Sequence, residues 1–404
     1  MNPHVIFFLL VSLVWVNTAR FIFFRISGVA LPPSALYGIV AISFLALGLA
    51  RVRSIPRPRA MRGSILLLFA LIFLSYSVGK LLTGGLTNKD LATTWGYFIF
   101  PVLCIMIGFL FQTPTTGRSL PSQNVSLFIK LTTLVFVVGI AINATDILIY
   151  RDEIHALYQG FATTAYAFLG GYQVPRLTGA YFSSVDLALV TLILVALRRW
   201  LRVGSRVVDY LLLLPLVFTF TRNVYVLMAV MLIFCKFIQP TRTYLILGIM
   251  TGGLLTVFSA MYFGPMVSYG DIRASDDVSS VITRLSSWFA LSQELLASPM
   301  RILFGIGYSQ NYFGDSIINV YAVDNAYFEA MSLGGAIAVA AYFGLWLLLI
   351  KTFRAETHGL GRFMSALVCA LPIFGVFNNV FDWAFFSIIL SLVFALPYPV
   401  RSSR

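Results

Sequence analysis

Ionisable side chains gather in one long polar stretch, Met261 to Asn325, where Asp271, Asp276, Asp277, Glu294, Asp315 and Asp324 stand beside Arg273, Arg284 and Arg301. Carboxylates can orient or deprotonate a hydroxyl, and guanidinium groups match phosphate oxygens two at a time. Asp324 closes the stretch, with Asn325, Tyr327 and Glu329 just beyond it. It reads either as the cap of the next helix or as the carboxylate that handles a hydroxyl. Arg222 stands in the tripeptide Thr221, Arg222, Asn223 between two apolar runs. Arginine at depth in a bilayer costs about 2.5 to 3.5 kcal/mol on insertion scales unless it is paired or faces water. It is therefore read as an interfacial arginine reaching the surface from a turn, or as an anion clamp. Arg176 follows Pro175 ahead of another apolar run, and Asp186 lies early in that run. Arg284 points either to lipid headgroups or into a cavity shared with Arg222 and Arg176. Asp382, in the tip NNVFDW, is the last candidate.

The elements that must position these residues are membrane helices. The hydrophobic share is 59%, the charged share 11%, and the mean hydropathy +0.90, far from soluble domains. A hydrocarbon layer of ~30 Å takes about 20 apolar residues per helix, and the 404 residues read as an all-α bundle of about twelve spans in a single membrane domain, 1–404. The first apolar stretch, HVIFFLLVSLVWVNTARFIFF, lacks a basic leader and a small-residue cleavage site, and reads as a retained first span.

Basic loops orient the chain. RVRSIPRPRAMRG and RRWLRVGSR are expected on the cytoplasmic side, as are both termini. The same distribution accounts for the net charge of +13 without a nucleic-acid groove. Residues 207–237 hold two apolar runs around Arg222, and charge bias favours a hairpin over one span. Each half is about 22 Å long at 1.5 Å per residue, which leaves the tip below the outer surface. Residues 263–324 form the expected long outward loop. Within it, SSVITRLSSWFALSQELLASP has helical spacing of apolar positions, broken by Ser292, and reads as an interfacial helix anchored by Trp288. Cys104, Cys235 and Cys369 lie in apolar spans as small hydrophobes. His4, His155 and His358 have no metal-ligand spacing, and no cofactor or metal is expected.

With those residues in place, the chain resembles the O-antigen ligase and O-antigen polymerase superfamily of bacterial envelope polysaccharide enzymes over roughly Arg176 to Gly344. The pieces are RLTGAYF, the short turn in TFTRNVY, Arg284 followed by Trp288 and PMRILFGIGYSQ, and DNAYFEAMSLGGAIAVAAYFGL. Two features depart from the pattern. Ser183, Ser184, Val185 and Asp186 stand where many relatives have Asn-Pro-Asn, and Asp324-Asn325-Ala326-Tyr327 replaces the His-Asn-x-Tyr of ligases.

The resemblance implies a glycan donor on undecaprenyl pyrophosphate in the bacterial inner membrane, acted on at the periplasmic face. It gives Arg176, Arg222 and Arg284 the pyrophosphate, Asp324 and Arg222 the catalytic roles, and Asn325, Tyr327 and Asp186 supporting ones. Membrane lipid, a chain-length regulator and a flippase are the expected partners. Asp324 in place of histidine favours a metal-independent polymerase making O-antigen or exopolysaccharide over a ligase acting on lipid A core. A polysaccharide flippase or transporter is the alternative from another class. Transporters place charges near the midplane and show two related halves; here most charges cluster at the outer face and no half-to-half symmetry is visible.

Overall fold

In the computed structural model, residues 3–29, 31–51, 60–83, 94–111, 123–150, 166–169, 172–181, 183–263, 276–307, 325–355, 359–376, 387–388 and 390–392 are described. They form an almost wholly helical protein. Five helices are long and apolar enough to cross a membrane: α1 (Pro3–Ser27), Gly63–Thr83 within α3 (Ala60–Thr83), α5 (Gln123–Ile149), α9 (Arg242–Phe263), and Ala326–Phe353 within α12 (Ala326–Ala355). Apolar runs that are shorter include Ser34–Ala50 in α2 (Pro33–Arg51), α4 (Trp95–Leu110), Asn223–Lys236 in α8 (Arg222–Leu232, continuing as a π-turn Ile233–Phe237), and Leu360–Phe374 in α13 (Gly359–Phe374). Between them lie α6 (Ser184–Trp200), α7 (Arg206–Leu213, extended by the 3-10 stretch Leu214–Thr219), α10 (Asp276–Leu296) and α11 (Pro299–Phe304).

The upper end of the bundle is the one that carries Gly28, Leu177 and Asn325; the lower end carries Arg199 and Thr241. Helix ends are closed locally. Gly28 takes φ 68° and returns its N–H to the Phe24 carbonyl at 2.8 Å, while Ser183, Ser205, Thr241 and Ser298 cap helix starts with their hydroxyls. At the lower end Asp209, an isolated acid in a basic region, accepts from Arg198 at 2.9 Å and Arg199 at 3.3 Å. Arg198 also reaches Thr133 at 2.9 Å. Truncating one partner of such a buried pair strands a charge.

A tight backbone crossing lies against α3. Helix α12 breaks at Gly334 and Gly335, the latter at φ 64°. A Cβ on Gly335 would fall 2.4 Å from the Leu303 carbonyl and 2.5 Å from the Gly305 nitrogen. Carbonyls near the break find donors on other elements: Ile306 N–H donates to Ser332 at 3.0 Å, and the Ser75 hydroxyl donates to Gly334. A membrane helix can be interrupted only where such partners exist.

Lys80 lies in the last turn of α3 and is 3% exposed because its stem lies along Gly307. Two expectations change. Trp288 is no interfacial anchor: it is buried with Ala260, Leu291, Leu295, Ile306 and Phe328. Ser292 does not break that face, since it is buried too and its hydroxyl donates to the Phe289 carbonyl within the same helix.

Gly335→Ala should destabilise the purified protein by at least about 3 kcal/mol, from overpacking plus an unfavourable φ. Gly63→Ala, at an exposed helical position where nothing stands within 4 Å, should leave the melting temperature unchanged or slightly raised. Equal melting of the two variants would show that the crossing is loose.

Candidate active site

The upper end is built around residues 176–186. A short antiparallel hairpin, β1 (Tyr166–Leu169) and β2 (Tyr172–Pro175), delivers the chain to Arg176. Two supports then hold it. The Asn143 side chain on α5, 1% exposed, accepts from the backbone N–H groups of Thr178 at 3.0 Å and Gly179 at 2.9 Å. From the other side, Leu177 N–H donates to the Phe218 carbonyl at 3.1 Å, and the Ser184 and Thr221 hydroxyls share a 2.6 Å hydrogen bond. Gly179 turns the chain at φ 59° into the 3-10 turn Gly179–Tyr181, which packs on α1, α5 and α6. Arg176 is half-buried, with Nε shielded from solvent.

Residues 206–237 form the expected hairpin. Its first leg spans about 24 Å, because the 3-10 stretch rises about 2 Å per residue. Phe220 turns the tip at φ 47°, and Arg222 is the first residue of α8. Thr221 does not cap that helix; its hydroxyl is engaged by Ser184 and donates to the Thr219 carbonyl at 3.0 Å. The backbone at Arg222 and the Arg176 segment are therefore joined across the tip. The side chain of Arg222 and all of Asp324 and Asp382 lie outside the described residues.

Asp186 occupies the first turn of α6, and its backbone N–H donates to the Ser183 cap at 3.3 Å. Its side chain lies within charge range of Arg20 and Tyr181. Arg20 is a residue that the hydrophobic pattern concealed. It sits in α1, seven residues and about 10 Å of helix before Ser27, and its Nε donates to the Leu31 carbonyl at 2.8 Å. The signal was present in WVNTARF, an ionisable group inside an apolar span.

A second group forms at the start of α12. The helix is capped by Asn325, one residue beyond the expected Asp324: the wholly buried Asn325 side chain accepts from Tyr327 N–H at 2.9 Å and Phe328 N–H at 3.0 Å. Its amide donates to Thr256 at 3.0 Å and to the Val376 carbonyl at 2.8 Å. The Tyr327 hydroxyl donates to the Pro372 carbonyl at 3.0 Å, near the end of α13. These two residues tie α9, α12 and α13 together. Glu329, 1% exposed, receives the Tyr97 hydroxyl. Arg284 is on α10, half-buried, on an element packed against α11, α12 and the end of α9. It belongs with this second group, and Arg301 on α11 pairs with Glu294.

No protein-family model, curated protein or solved structure matches the chain.

Asn143→Ala removes the acceptor of two buried N–H groups, at a cost of about 1–3 kcal/mol each. Amide exchange at Thr178 and Gly179 should accelerate more than tenfold while exchange in α12 stays unchanged. Unaltered exchange at 178 and 179 would mean that Asn143 does not hold the segment.

Proposed function

We propose that the protein polymerises undecaprenyl-pyrophosphate-linked oligosaccharide repeat units into O-antigen or exopolysaccharide. The reading places it in the bacterial inner membrane with about twelve spans, both termini cytoplasmic, and the upper end, with the 263–324 loop, facing the periplasm. The observation that carries it is the junction between the Arg176 segment and the helix beginning at Arg222, made by Leu177 with Phe218 and Ser184 with Thr221. Two guanidinium-bearing positions of the resemblance meet at one end of a membrane bundle, and an anionic leaving group held there would be shielded from water. Arg284, on the other group of elements, would approach from the long loop.

In the reaction, a hydroxyl oxygen of the acceptor unit attacks the anomeric carbon of the donor. The bond from that carbon to the phosphate oxygen breaks, and its electron pair leaves with the pyrophosphate. The hydroxyl proton passes to the Asp324 carboxylate. Charged hydrogen bonds contribute roughly 1.5 to 3 kcal/mol each, so two or three arginines stabilise the leaving pyrophosphate by several kcal/mol. Asn325 and Tyr327 act at a distance by fixing where α12 begins and hence where Asp324 stands.

One observation favours the transporter reading, the interruption of α12 at Gly334 and Gly335, since broken helices line transport sites. The space at this break is filled by the backbone of Leu303 to Gly305, which leaves the polymerase the better account.

Arg176→Ala and Arg222→Ala should each reduce polymer in producing cells by about a hundredfold or more at unchanged protein level, measured by gel and immunoblot. Near-normal polymer from either variant removes that arginine from the site. Asp324→Asn should lower turnover at saturating donor far more than donor affinity; an unchanged rate would exclude Asp324 as the proton acceptor.

A further inference from the structure

Beside the Arg176 segment lies a cluster distinct from the arginines assigned to pyrophosphate. Arg20 and Thr18 come from α1, Tyr37 from α2, Tyr181 from the 3-10 turn and Asp186 from α6. The Tyr37 hydroxyl donates to the Asn17 side chain at 3.0 Å, one turn below Phe21 on α1. Ala180 and Thr18 meet over Gly139, where a Cβ would stand 3.0 Å from Ala180 Cβ and 3.4 Å from Thr18 Oγ1. Tyr181 is 5% exposed and Thr18 3% exposed, and the hydroxyls of both are buried with no hydrogen-bond partner among the described residues. Arg20 and Asp186 are only partly buried, so a ligand can reach the cluster's edge.

Buried hydroxyls are rarely left without partners, and two in one cluster mark a place where a polar molecule completes the hydrogen bonding. The charges indicate which kind. A phosphate would meet Arg20 but also the Asp186 carboxylate, which repels it. A neutral ring carrying several hydroxyls suits both: its hydroxyls donate to Asp186 and accept from Arg20, Tyr181 and Thr18. We infer that Arg20, Asp186, Tyr37 and Tyr181 form a charge-balanced subsite for a neutral sugar ring, separate from the arginines assigned to pyrophosphate. This subsite rests on the polymerase reading and assigns its glycan end to the first helix of the chain.

The full-length protein in nanodiscs tests it with two probes, bare undecaprenyl pyrophosphate and undecaprenyl pyrophosphate bearing the host's complete repeat unit. The wild type should bind the glycan-bearing lipid at least tenfold more tightly. Arg20→Gln should weaken it about tenfold while changing the bare lipid less than twofold, and Asp186→Asn should weaken the glycan-bearing lipid about tenfold. Tyr181→Phe removes one oxygen and preserves the fold, which keeps the test decisive if the other variants misfold. It should weaken the glycan-bearing lipid about fivefold at an unchanged or higher melting temperature. Equal loss for both lipids, no loss in Tyr181→Phe, or a wild type indifferent to the glycan would overturn the subsite and leave the polymerase standing. A wild type that binds neither lipid overturns both.

Discussion

Backbone polar groups inside a bilayer must find partners within the protein, and this requirement is met where the described helices of this chain break or end. At Gly334 and Gly335 the partners come from Ser75 and from the backbone of Ile306. Near the end of α13, the Pro372 carbonyl receives the Tyr327 hydroxyl. In residues 178 and 179, which follow no regular ladder, the N–H groups are taken by Asn143. Each break is thus a point where one element is locked to another, and the locks lie mainly towards the upper end. A rigid upper end is what a site assembled from several helices needs, because a misplacement of about 1 Å can cost a hundredfold in rate.

Two groups of elements share that end. One comprises α1, α2, α5, α6 and the hairpin, around the Arg176 segment. The other comprises α9, α10, α11, α12 and α13, around Asn325 and the glycine crossing. Tyr97 on α4 joins Glu329 of the second group, while Phe100 one turn on packs against Tyr37 of the first, with ring centroids 6.0 Å apart. Helix α4 therefore touches both groups. Under the proposed function, donor pyrophosphate and glycan engage the first group, and Arg284 and Asp324 enter from the second.

Much of this was legible from hydropathy alone. The apolar composition that reads as membrane helices is matched by long helices such as Pro33–Arg51 and Gln123–Ile149, and the hairpin around Arg222 follows from charge bias. What escaped has physical causes. Trp288 has the composition of an interfacial anchor, but only the position of α12 and residues 305–307 decides that it is covered. The Gly334–Gly335 break is silent in an apolar run, because small residues there also serve unbroken helices; the backbone of 303–305 produces it. Asn325 takes the cap from Asp324 because its amide can accept from the helix while donating to Thr256 and Val376, and a carboxylate could not donate. Arg20 was hidden by the very apolarity that identified its span, and the strands at 166–175 are too short to show a period.

Chemistry is the central claim, and it is tested most directly by incubating the purified protein with undecaprenyl-pyrophosphate-linked repeat units from its host and separating the products on a gel. A ladder of increasing length, formed with no other acceptor present, is the predicted result. Absence of a ladder, with glycan moved instead onto added lipid A core, would contradict polymerisation. It would make the protein a ligase in which Asp324 acts in the place of the histidine of the ligases it resembles in sequence.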